Sequence, residues 1–257
     1  QGAPYEDHWA FTPPVRPAPP SSDAQPIDAF LLDALAQHGL EYAGPVAPSL
    51  ALRRLFLDLT GLPPTPEEID GYLAVRAELG EDEAWSQQVQ RLFHEEPYRT
   101  RYAERMTSPW LDQARYADTS GIHTDAGRQI WPWRDWVLDA YRTNMPFDQF
   151  LVQQLAGDLL PQGDNGPQVA TGFLRNHVTT DEGGAIDAEY LVEYAVDRVD
   201  TTSRVFLGLT VSCARCHDHK FDPIRQEDYY RLFAFFGQND EPGLYSQEPN
   251  PKRALEP

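Results

Sequence analysis

Cys213-Ala214-Arg215-Cys216-His217, followed by Asp218-His219-Lys220-Phe221-Asp222-Pro223, carries the only two cysteines among 257 residues. Their spacing is C-x-x-C with a histidine next in line, the pattern by which a c-type haem is attached. Two thiols reach the two vinyl groups of one porphyrin, and the imidazole that follows is then held under the iron as its proximal ligand. Cys213, Cys216 and His217 are therefore the expected attachment site of one covalent haem c. A redox C-x-x-C calls for a preceding strand and an alternating α/β pattern, and the sequence shows neither. A zinc site built from the same thiols is strained by the closeness of His217 and His219 and lacks a second C-x-x-C. A disulfide across the two intervening residues is expected only where attachment has failed.

Working outward, Leu191, Tyr194, Ala195, Thr202, Val205, Phe206 and Leu209 share one side of a long helix expected over 187–209, which delivers the chain to the motif. Beyond the motif, Tyr229, Tyr230, Leu232, Phe233 and Phe236 mark a last helix over 226–236, stopped at Gly237. Further upstream, helices are expected from Pro26 to Gly39, after Ser49 to Gly61, and over 82–93. Thr65-Pro66-Glu67-Glu68 is a capping box with proline at the first helical position, so another starts there. The segment 98–116 reads as helix interrupted at Pro109. A glycine-bearing loop over 118–127 separates it from a helix carrying Trp133, Trp136, Val137 and Ala140, and Pro146 opens one more. Asp164-Asn165-Gly166 reads as a turn.

No stretch alternates with period two and no internal repeat appears, so the expected fold is all-α. It is a single irregular multi-helix domain over 26–240 arranged around one covalent haem. Residues 1–25, rich in proline, form an extended arm held on the body by Trp9 and Phe11, and 241–257 form a tail. Acidic residues number 40 against 21 basic ones, a net charge of −19. Nucleic acid is excluded as a partner, because phosphate neutralisation needs clustered Lys and Arg. No apolar run approaches 18 residues, so no transmembrane segment is expected. Haem attachment to such a motif takes place outside the bacterial cytoplasm. The chain starts at Gln1 without methionine, and a leader already removed is the expectation. Both point to a secreted, periplasmic or cell-surface protein, with a redox partner protein or a C-terminal companion domain as its partner.

Several runs resemble the planctomycete cytochrome C family. They are Arg53 to Thr65 (RRLFLDLTGLPPT), Trp110-Leu111-Asp112 with Arg115-Tyr116-Ala117-Asp118, and Trp133-Arg134-Asp135-Trp136-Val137. Gln154 to Leu160, Ala170-Thr171-Gly172-Phe173, Asp197 to Thr202 and Cys213 to Ile224 complete them. The resemblance implies an exported, haem-bearing domain that is usually continued by a second one, and it supplies no reaction. It departs at Pro109-Trp110, where the family often has His-Trp, and one histidine is thereby lost as a ligand for iron.

The far side of the iron separates carrier from catalyst. His177, in Arg175-Asn176-His177 ahead of Glu182-Gly183-Gly184, is the first candidate for that position, and His123 in the 118–127 loop is the second. Both resemble one branch of the family. His38 and His94 fall at helix ends, and Met106 and Met145 suit core or helix-start positions. Asp118, Asp125 and Glu182 match no known calcium loop. The expected function is one-electron transfer by a single-haem cytochrome domain. The alternatives are a haem enzyme in which His123, His177 or Glu182 acts as distal acid or base, and a structural haem in a surface binding module.

Overall fold

A computed structural model describes residues 8–22, 24–161 and 165–245. Every extended element among them is a helix: α1 (Pro26–Gln37), α2 (Pro48–Thr60), α3 (Pro66–Leu79), α4 (Glu81–His94), α5 (Tyr98–Gln113), α6 (Trp131–Arg142), α7 (Phe147–Ala156), α8 (Gly166–Ala170), α9 (Asp187–Thr202) and α10 (Gln226–Phe236). Among the described residues strand pairing is limited to the isolated bridges Thr119–Gly127, Gly121–Thr179 and Thr180–Leu244. The all-α expectation holds. Among the described residues no helix is long and apolar enough to cross a membrane.

Local signals set most boundaries. At the start of α3, Glu68 N–H donates to Thr65 Oγ1 at 3.2 Å and Thr65 N–H donates to Glu68 Oε2 at 2.7 Å, so two orphan donors are met reciprocally. Gly61 ends α2 in the left-handed region, φ +70°, where a side chain would be strained.

The helices bury three apolar centres in series. Leu52 and Phe56 of α2, Tyr72 of α3, Ala84 and Leu92 of α4 and Tyr98 of α5 form the first. Helix α5 then carries the chain to the second, where Ala114, Ile130, Trp133, Val137, Ala140, Phe150 and Phe173 meet. The third is the site's own foundation: Ala195 and Val199 of α9, Val211 and Ala214 around the cysteine motif, and Tyr229 and Phe236 of α10. Burial of Val211 and Ala214 against α9 and α10 fixes the motif turn to the core of this part of the chain. Close backbone approach matters at Gly172. There a Cβ would lie 2.6 Å from Trp133 Cβ, so only glycine lets the 171–175 turn settle on α6.

Four sequence expectations change. Helix α5 runs through Pro109 without a break; proline removes a single ladder bond, and packing on both sides of it keeps the helix in line. The α-helix before the motif ends at Thr202, and a π-turn over Ser203–Leu207 with Gly208 at φ +66° replaces its last turns. Trp9 and Phe11 do not clasp the body: they form a 3-10 turn with His8 and are 80% and 45% exposed. The apolar stripe of α1 is likewise largely uncovered, with only Ala29 buried, because proline at the first position and local propensity suffice to make that helix. The turn expected at Asp164, the first seven residues of the arm, Asp23 and 246–257 of the tail lie outside the described residues.

Candidate functional site

The cysteine motif sits on a 3-10 turn, Ser212–Arg215, that caps the α9–α10 pair. Cys216 N–H and His217 N–H both point back to the Cys213 carbonyl, at 3.3 and 3.4 Å. Ala214 is fully buried between the helices, while Cys213 and Cys216 are free and exposed. Three clamps hold the turn. The Arg215 guanidinium grips Glu193 of α9 bidentately, Nη2–Oε1 2.5 Å and Nη1–Oε2 3.1 Å. The Arg215 carbonyl accepts from Gln226 Nε2 at 3.1 Å and from Tyr230 Oη at 3.0 Å, both on α10. The Asp218 carboxylate accepts the first N–H of α10, Gln226 N, at 2.8 Å.

His217 is oriented by the same loop. Its Nδ1 lies 2.7 Å from the Asp218 carbonyl; a carbonyl only accepts, so Nδ1 carries the proton and Nε2 keeps its lone pair. Metal-ligating histidines are commonly set in this way, with the second nitrogen donating to a backbone carbonyl. His219, set aside in the sequence as a ligand, organises the loop instead. Its Nδ1 accepts from Asp222 N–H at 2.9 Å, and the ring is mostly buried. The chemistry of Cys213, Cys216 and His217 therefore fits covalent haem attachment: two exposed free thiols and an exposed imidazole in the ligating tautomer. Two cavities, of about 220 and 260 Å³, are lined by Asp112, Gln113, Arg115, Thr201, Arg204 and Val205 and by Ser49, Leu50, Arg53, Pro64 and Ile69; neither includes a motif residue. Among the described residues no three His, Cys, Asp or Glu side chains are grouped to hold a metal ion.

The two distal candidates are placed differently. His177 is 1% exposed and stacks on Tyr194 of α9. Its Nδ1 donates to the Val178 carbonyl at 2.9 Å and its Nε2 accepts from Arg198 Nη2 at 2.8 Å. Neither ring nitrogen is free for iron as the chain is folded. Burial pushes its pKa below the ordinary histidine value, outweighing Glu241, which pulls the other way, and helped by the Arg198 charge; this agrees with a neutral ring accepting from arginine. His123, in the left-handed region at φ +59°, reaches Glu182 with Nε2–Oε2 at 2.7 Å and is about one-third exposed. Asp125 of that loop caps Gly121 N–H at 2.8 Å and Thr124 donates to Asp181. The loop is thus fastened both to itself and to the 181–182 segment.

What the sequence reading missed is the network around His177. Arg198 of α9, 1% exposed, donates Nε to the Leu174 carbonyl at 2.8 Å, and pairs through Nη1 and Nη2 with both oxygens of Glu241, which is 2% exposed. Arg175 joins Glu241 at 3.1 Å and Tyr245 Oη at 2.6 Å. Arg128 holds the carbonyls of Ala117, Asn176 and His177. Burial alone would raise the Glu241 carboxyl, but hydrogen bonds from its neighbours and the Arg198 charge hold it well below the usual carboxylate range. Residues 241–245, assigned to the tail from the sequence, are packed into the body: Gly243 N–H donates to Asp187 Oδ1 at 2.8 Å and Tyr245 N–H to the Thr180 carbonyl at 2.8 Å. No local signal marks Glu241, because Asp240-Glu241-Pro242-Gly243 reads as a polar turn.

A family model named PSCyt2, described as a protein of unknown function (DUF1549), matches residues 26–241. No curated protein matches, and no solved structure matches.

Proposed function

Because the chain belongs to the PSCyt2 family of proteins of unknown function, we propose a function from its own residues: an exported, single-haem c-type domain that passes one electron at a time to a partner protein or companion domain. The observation that carries this reading is the motif turn, in which Cys213 and Cys216 are free and exposed and His217 donates Nδ1–H to the Asp218 carbonyl. Each thiol adds its sulfur and its hydrogen across one vinyl double bond, so attachment needs reduced cysteines and consumes no oxidant. His217 Nε2 would hold the iron, with the Asp218 carbonyl keeping the ring basic and turned toward it. Arg215, clamped to α9 and α10, keeps the two thiols at their spacing. What such a group supplies when bound is a reversible one-electron couple. Acceptors are expected to dock through basic surfaces, since the chain's charge is −19. For the far side of the iron, His123 is the stronger of the two candidates, being part-exposed and, among the described residues, paired with Glu182 alone, whereas His177 serves the arginine network.

The test is expression through a haem-attachment system. Colour that survives acid–acetone extraction, with a c-type haemochrome spectrum lost in C213A/C216A, is the expected result. Colour that leaves with the solvent, or stoichiometric zinc in place of iron, refutes it.

A further inference from the structure

The clearest feature outside the motif is a group of arginines around Arg115, which lies within electrostatic reach of Arg128, Arg198 and Arg204. Among the described residues Asp197 pairs with Arg115, and Glu241 with Arg175 and Arg198, while Asp118 and Asp200 act on Arg128 and Arg204 from further off. Desolvated guanidinium groups are costly unless paired, and Arg115 is the member of the group whose buried donors stay unmet among the described residues.

Two of these arginines border a cleft of about 220 Å³ between the C-terminal ends of α5 and α9. Arg115 occupies the position after α5 at which the chain turns left-handed, φ +60°. Its N–H donates to the Asp112 carbonyl at 3.1 Å and Tyr116 N–H to the Leu111 carbonyl at 2.9 Å. Glycine is the usual residue there, and an L side chain in that region is strained. The guanidinium donates from Nη2 to Asp197 at 2.5 Å, while Nε and Nη1 are buried with no partner among the described residues. Arg204, exposed, stands on the π-turn that ends α9, within electrostatic reach of Asp200 but in no ion pair among the described residues. Such turns concentrate at functional sites. Thr201, Gln113 and Val205 complete the lining, with Asp112 as its one acid.

We propose that this cleft binds a small oxyanion, a carboxylate or phosphate group, between Arg115 and Arg204. The cleft holds the volume of several waters, at about 30 Å³ each in the liquid, which suits an isolated group or the end of a small molecule. Planar guanidinium forks match both oxyanions. The site is independent of the haem proposal, since none of its residues belongs to the motif, and binding is therefore measured on colourless protein.

The experiment is isothermal titration calorimetry of the full chain with sodium phosphate and, separately, sodium acetate, against sodium chloride at matched ionic strength. Saturable binding of one equivalent of either anion is expected, and the anion that binds identifies the group recognised. R204Q, which removes an exposed charge and leaves the melting temperature unchanged, is expected to weaken binding about tenfold, as for loss of a charge-assisted hydrogen bond. D112N, which removes the one acid, is expected to strengthen it. Absence of saturable binding of both anions, or wild-type affinity in both R204Q and D112N, overturns the proposal.

Discussion

Replacing Glu241 with alanine tests whether residues 241–245 belong to the body of the domain. The side chain is 2% exposed and pairs with Arg198, itself 1% exposed. Of the four hydrogen bonds that Arg198 donates, two go to Glu241. Glu241→Ala therefore leaves a buried guanidinium with the Leu174 carbonyl and His177 as its remaining acceptors, and also removes the partner of Arg175. Breaking a buried pair from one side costs about 3–5 kcal/mol. At about 2–4 °C per kcal/mol for a chain of this size, the midpoint should fall by roughly 6–20 °C. The assay is thermal unfolding at pH 7 followed by circular dichroism, alongside R198M and the double variant R198M/E241M. With E241M also measured alone, the double variant should cost clearly less than R198M and E241M added together, because no uncompensated charge remains. A cost below about 1 kcal/mol for Glu241→Ala, or strict additivity in the double variant, would refute the reasoning and return these residues to the tail.

Acid should weaken the same network, and the sign follows from both partners. His177 and Glu241 each have folded pKa values below their ordinary ones. The unfolded chain therefore takes up protons first, and stability present at neutral pH is lost as pH falls, first below the ordinary histidine range and then below the carboxylate range. Unfolding midpoints measured from pH 7 to pH 4 should show that decline, and in H177N/E241Q it should be flatter. Ala214→Leu, placed at a fully buried position between α9 and α10, should cost about 1–3 kcal/mol by overpacking and lower the yield of attached haem; an undiminished yield would separate the turn's packing from attachment. Arg215→Ala breaks a pair whose side chains are 37% and 45% exposed, so it should cost no more than about 1 kcal/mol in a chemical denaturation curve. Gly172→Ala, with its Cβ forced within 2.6 Å of Trp133 Cβ, should lower the midpoint far more than alanine usually does at a surface turn, as differential scanning calorimetry would show.

What the sequence by itself determined is local in origin. The capping box at Thr65, the proline opening α1 and the glycine ending α2 act within a few residues, so those helix boundaries were legible. So was α10, whose apolar stripe ends at Gly237. The motif was legible for the same reason, since its chemistry needs two thiols and an imidazole within five consecutive residues. Tertiary structure decided everything that depends on distance along the chain. Arg198 finds Glu241 across 43 positions and Arg128 finds the His177 carbonyl across 49. No periodicity marks such pairs, because a charged residue on an exposed face and one on a buried face look alike until the chain folds. His177 shows the consequence: loop-forming neighbours made it look like a free ligand. Folding instead buried it against Tyr194 and turned its lone pair to Arg198, where desolvation favours the neutral ring.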